Sequence, residues 1–196
     1  MKKTWIIVIA VVAVLVIYCV SSYNSLVTQE ETVGTAWSNV ENQYQRRSDL
    51  IPNLVNTVKG YAAHEKETFD AVVSARAKAT QMSIDIENLT PEKIEAYQKA
   101  QGAVGSALSR LLAVTENYPE LKANENFKEL QAQLEGTENR ISVARTRYND
   151  TAREFNASIR KFPGSLFASG LGLSPAEYFQ PPEGSAAVQK PPAVQF

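Results

Sequence analysis

The sequence has almost none of the side chains that build disulfides and metal centres: one cysteine, Cys19, and one histidine, His64. A single cysteine excludes an intramolecular disulfide framework and any CxxC metal knuckle, and one histidine leaves few nitrogen ligands for zinc. An excess of either charge is missing too. Lys and Arg number 20 against 21 Asp and Glu, a net charge of −1, so no global field recruits nucleic acid. No GxSxG elbow, P-loop or dinucleotide fingerprint occurs, and Gly170-Leu171-Gly172 follows a helical stretch instead of a strand. His64-Glu65-Lys66-Glu67 lacks the second histidine of a zinc protease and reads as a solvated charged turn. Glu65, Glu67 and Asp70 fall on helical faces without convergent partners. These gaps lead us to expect a non-enzyme with no catalytic residue, no cofactor and no metal site.

What is present begins with TWIIVIAVVAVLVIYCV, where no charge appears from Thr4 to Tyr23. At about 1.5 Å per residue, roughly 20 residues cross a hydrocarbon core of about 30 Å, so the segment suffices as a membrane span. Trp5 at one end and Tyr18 with Tyr23 at the other suit the two headgroup levels. A cleaved signal peptide is the rival reading, given Lys2 and Lys3 before the run and Val20-Ser21-Ser22 after it. Its apolar core is longer than the usual ~7–15 residues, which favours a retained anchor. A lipidated Cys19 fits worse, because Ile17-Tyr18 stands where small residues belong. Lys2 and Lys3 precede the span, whereas the first charges beyond it are Glu30 and Glu31. The positive-inside rule then leaves the N-terminus in the cytoplasm and the folded part extracytoplasmic.

Beyond the span the apolar spacing is regular. Val33, Trp37, Val40, Tyr44, Arg47, Ile51, Leu54, Val58 and Tyr61 alternate gaps of four and three, a heptad seam whose one polar member is Arg47. Leu50 and Val55 widen the stripe toward that of a bundle helix. Phe69, Val72 and Val73 lead into an alanine-rich end near Met82, and Gly60–His64 is the expected break between two helices. After SIDIENLT, Thr90 caps a helix with Pro91 at its first position, and Ile94, Tyr97, Val104, Leu108 and Leu111 continue to about Asn117. Gly102 and Gly105 within it suggest close helix approach. Tyr118-Pro119 breaks the chain, and Asn124 can cap a last helix seamed by Phe127, Leu130, Leu134, Ile141, Ala144, Tyr148, Phe155 and Phe162.

The fold class is therefore all-α: an N-terminal transmembrane helix followed by an antiparallel bundle of three to four long helices. Residues 1–3 form a flank, 4–23 the span, 28–162 the bundle, 163–179 a glycine- and aromatic-rich segment packing on bundle or membrane, and 180–196 a proline-rich tail. The final AVQF is either a short docking peptide or plain tail.

One polar cluster interrupts this pattern: Arg46, Arg47, Asp49, Pro52 and Asn53, in RRSDLIPNLV. As a functional site the arginines would hold an anion or phospholipid headgroup. As a structural joint, Arg46 would pair with Asp49, and Arg47 would seek a buried carboxylate or carbonyl, with Glu135 and Glu138 in reach on the last helix. Pro52 cannot donate to the Ser48 carbonyl, which Arg47, Asn53 or a partner protein would then satisfy. The joint is the favoured reading.

Three stretches, YNSLVTQEETVGTAWSNVENQYQRRSDLIPNLVNTVKGYAAHE, YPELKANENFKELQAQLEGTENRISVARTRYNDTAREFN and FPGSLFASGLGLSPAEYF, resemble the LemA family over nearly the whole chain. The RRSDLIPNLV and YPELKANENF blocks are highly specific. The resemblance implies an anchored bacterial protein with an antiparallel helical bundle and no established enzymatic activity. It also implies relatives in magnetic bacteria linked to building the magnetosome membrane. Family accounts place the short N-terminus outside the cytoplasm, against the charge argument from Lys2 and Lys3, so both orientations stand open. The expected partners are membrane lipid at the anchor, an unidentified membrane or envelope protein, and further copies of the chain. A scaffold or adaptor leads; the alternatives are an oligomer that remodels membrane through its glycine-phenylalanine-rich segment and, last, an enzyme or regulatory subunit whose site a partner completes.

Overall fold

The computed structural model describes residues 2–82 and 90–180, so SIDIENL and the proline-rich end with AVQF lie outside the described residues. Among the described residues all regular structure is helical: α1 (Lys2–Lys59), α2 (Lys66–Thr80), α3 (Pro91–Thr115), α4 (Pro119–Ala123), α5 (Glu125–Arg160) and α6 (Gly164–Leu171). The expected break after α1 is real. Tyr61 and Ala62 both turn back to the Val58 carbonyl, and α2 begins seven residues after α1 ends. At the start of α3 the Thr90 hydroxyl accepts from the Lys93 N–H with Pro91 beside it, and at α5 the Asn124 side chain accepts from Phe127 N–H. The Glu92 backbone N–H and the Thr90 hydroxyl also hold the Glu92 carboxyl below its ordinary value.

The chain divides into two units, one formed by residues up to 37 with 147–176, the other by 38–146 with the chain from 177 on. In the first unit, α1 is long and apolar enough to cross a membrane, and its large side chains from Trp5 to Val20 are exposed. Farther along α1, Leu26, Val33 and Trp37 are buried, as are Tyr148, Ala152, Phe155 and Ile159 on α5. Trp37 meets Tyr148 edge to face at 5.5 Å. The chain then turns through a cis Phe162–Pro163 bond into α6. A Cβ at Gly164 would fall 2.2 Å from the Ser158 carbonyl oxygen, so only glycine fits that turn. Gly172 closes α6 at φ +69°, the left-handed region that glycine enters freely.

The second unit has a continuous apolar core. Ile51, Leu54 and Val58 of α1 join Phe69 and Val72 of α2, Val104, Leu108 and Leu111 of α3, Leu121 of α4, and Phe127 and Leu134 of α5. These are the 3–4-spaced residues of each helix, which is why burial follows the seam.

Three expectations need correction. Tyr61 does not continue the seam; α1 has ended by then, and Ala62 takes the buried place while Tyr61 is 40% exposed. Phe162 likewise lies past the end of α5 and is 76% exposed. Gly102 meets no neighbouring atom within 4 Å of where a Cβ would stand, and Gly105 meets only Arg47 Nη1 at 3.9 Å, so neither marks a close backbone approach.

Candidate functional site: the Arg47 centre

Arg47 lies on the inner face of α1 because its position belongs to the heptad seam, and there it is 3% exposed. A buried guanidinium is tolerated only when its charge and its N–H groups are met. Nη1 donates to Glu138 Oε2 of α5 at 2.9 Å. Nη2 donates to the Gln101 carbonyl at 2.9 Å and to Gln101 Oε1 at 2.8 Å. Its planar face covers the Tyr44 ring at 5.1 Å. One side chain of α1 thus bonds to α3 and α5 at once. Of the two carboxylates expected nearby, Glu138 makes the contact, whereas Glu135 accepts from Gln131 on its own helix.

The centre extends further. Tyr44 meets Tyr97 edge to face at 5.5 Å. Burial raises the pKa of both phenols, in Tyr44 against the lowering influence of Arg145 and Arg47, and in Tyr97 with further upward pressure from Tyr44 and Glu41. Both rings therefore stay protonated well into alkaline solution. Arg145, hydrogen-bonded to Tyr44, also covers the Phe179 ring at 5.0 Å and donates to the Gln180 carbonyl at 2.8 Å. The segment after α6 is thereby tied to the same polar chain.

Pro52 is the other break in the seam helix, and α1 runs through it. The Ser48 carbonyl, left without its helical donor, accepts from Arg76 Nε of α2 at 2.9 Å. Neither Arg47 nor Asn53 serves it. Nor do Arg46 and Asp49 form the expected pair: Asp49 accepts from Gln45 Nε2 at 2.7 Å, and Arg46 is exposed. Pro52 and Asn53 are exposed too, and Asn53 lines a shallow polar groove with Leu50, Asn56, Thr57, Asn126 and Glu129. The five clustered residues therefore part company, with Arg47 facing inward and the others outward.

A cavity of about 230 Å³ adjoins Arg47 and Arg76, bordered by Tyr44, Tyr97, Gln101 and Thr80. That is below the roughly 300–1,000 Å³ of ordinary ligand sites. No cluster of three metal-ligating side chains occurs among the described residues. Glu65, from the charged turn, accepts from the Tyr118 hydroxyl at 3.2 Å, so the turn also has a packing role.

The arrangement is a helix junction held by charge, and its sequence blocks connect it to known proteins. The family model described as "LemA family" matches residues 36–196. This chain belongs to the LemA family. It is 31% identical over 191 residues to magnetosome protein MamQ 2 of Paramagnetospirillum magneticum, covering 88% of this chain and 70% of the relative. Magnetosome protein MamQ of Magnetospirillum gryphiswaldense is 30% identical with the same coverage. Protein LemA of Metamycoplasma hominis is 24% identical, covering 82% of this chain and 69% of the relative. Membership of the family, together with one N-terminal helix long and apolar enough to span a bilayer, describes a membrane-associated helical protein.

Proposed function

We propose that this LemA family protein is a non-enzymatic, single-pass scaffold or adaptor of the bacterial inner membrane, acting through protein contacts along its bundle. One observation carries the reading. α1 is a single unbroken helix whose large, uncharged side chains from Trp5 to Val20 are exposed and whose later part supplies the seam of a bundle. The anchor and one helix of the contact-bearing bundle thus belong to the same element, and tethering at the bilayer raises the effective concentration of weak surface contacts. The inward ties of Arg47 support a structural role for the most polar interior residue. The relatives named for the magnetosome favour a task at a membrane.

Photo-crosslinkers at the exposed residues Asn53 and Asn56 of the full chain, activated in native membranes, test this. Discrete protein adducts are expected; adducts to lipid and to the chain itself alone would contradict the adaptor reading. The charge of Lys2 and Lys3 supports an extracytoplasmic domain. A C-terminal reporter active only in the cytoplasm would reverse that orientation.

A further inference from the structure

Among the described residues outside the apolar part of α1, the two most exposed large hydrophobic residues are Phe162, at 76%, and Leu166, at 65%. They lie four residues apart, Phe162 in the turn before α6 and Leu166 in its first turn, close in sequence to the exposed cations Arg160 and Lys161. Their place in the first unit is fixed by two contacts. The Phe167 ring meets Tyr23 edge to face at 6.5 Å, and a Cβ at Gly164 would touch Leu26 at 3.5 Å. Tyr23 closes the segment read as the span, and Leu26 is about 4.5 Å farther along the helix axis. On α1 itself, exposed Val16, Val20, Tyr23 and Val27 follow gaps of four, three and four, so one apolar stripe reaches from the span to the level of α6.

We propose that α6 is a membrane-surface foot: Phe162 and Leu166 enter the headgroup–acyl boundary beside the end of the span, with Arg160 and Lys161 at anionic headgroups. The inference rests on reading residues 4–23 as a retained span. Continuity with the lipid-facing stripe of α1 selects a bilayer as the occupant of this face. Short amphipathic elements with aromatic and aliphatic residues on one side and cations at the edge bind such surfaces by the sum of apolar burial and headgroup attraction. An aromatic pair at the exit of the span suits the same depth.

The test uses the full chain with Cys19→Ser, carrying a nitrobenzoxadiazole label at Leu166→Cys or at Val12→Cys, in phosphatidylcholine vesicles with or without phosphatidylglycerol. At position 166 the expected result is blue-shifted emission, strong quenching by lipids bearing a quencher near the headgroup, and protection from aqueous iodide. Phosphatidylglycerol should increase that quenching, and Lys161→Glu should remove the increase; equal quenching in both lipids overturns the electrostatic half. Full iodide access at position 166, with position 12 still quenched from deep in the bilayer, overturns the foot and leaves the anchor standing. Iodide access at both positions overturns the anchor as well. A blue shift that ignores lipid quenchers and grows with protein-to-lipid ratio would make a second copy the occupant and also overturn the proposal.

Discussion

Arg47 and Asn156 are both polar, both on long helices, and both 3% exposed, yet they solve different problems. Arg47 brings a full charge into the core of the second unit and joins three helices through Glu138 and Gln101. Asn156, in the first unit, brings only an amide. Its Nδ2 donates to the Ala176 carbonyl at 2.8 Å, and its Oδ1 accepts from the Ala176 N–H at 2.7 Å. It thus imitates a neighbouring strand and holds down a segment with no helix of its own. The charged residue fixes which helices meet; the neutral one fixes where a tail lies. Burial alone does not distinguish them, but their partners do.

Truncating each residue should separate the two roles. Arg47→Ala takes the arginine donor away from the Gln101 carbonyl and Oε1 in the core and is expected to cost about 3 kcal/mol in chemical denaturation. That is the low end for a broken buried pair, because Glu138 is 63% exposed and regains water. Asn156→Ala removes two neutral hydrogen bonds, for about 2 kcal/mol at most, and should raise proteolysis after α6 without loosening the second unit. If both variants loosened the same segments by hydrogen exchange, the contrast between them would be wrong.

Smaller effects sharpen the picture around Arg47. Arg76→Ala should cost about 1 kcal/mol by stranding the Ser48 carbonyl. In a Pro52→Ala background that cost should vanish, because the new backbone N–H serves the same oxygen; an undiminished cost in the double-mutant cycle would assign Arg76 another role. Gly102→Ala, facing open space, should stabilise α3 by up to about 1 kcal/mol through helix propensity. The raised phenol pKa values of Tyr44 and Tyr97 have a defined sign. The folded state keeps protons that the unfolded chain releases above the ordinary value of 10.0, so stability is complete below that pH and falls above it. Tyr97→Phe should flatten this alkaline loss, as pH-dependent melting would record.

Much of this centre was legible from spacing. The seam of α1 put Arg47 inside, and position 138 beside the seam of α5 supplied a carboxylate. The missed partner, Gln101, also had a signal. In α3 the apolar series steps from Tyr97 to Val104, and the omitted seam position between them is 101. A polar gap in one seam answered a polar residue in another, a pairing that single-helix periodicity does not reveal. Arg76 and Arg145 left no such mark, because each reaches its acceptor from the edge of a helix with a long flexible side chain. Continuing the period past the real helix end puts Tyr61 and Phe162 in the core, where the structure leaves both exposed. Helix ends are set by local turns at Gly60 and Pro163, where periodicity carries no information.

The central claim is that Arg47 is an internal joint and that the work of the protein is done on its outer surfaces. Arg47→Met tests it most directly, since a long apolar side chain of similar reach replaces the charge while leaving the exposed surface intact. The expected result is a folded protein that loses less than the roughly 3 kcal/mol of Arg47→Ala, because methionine fills the space of the arginine stem and Glu138, 63% exposed, regains water. The protein adducts captured from Asn53 and Asn56 should be unchanged. A folded bundle with those adducts lost would contradict the claim and make Arg47 a contact residue.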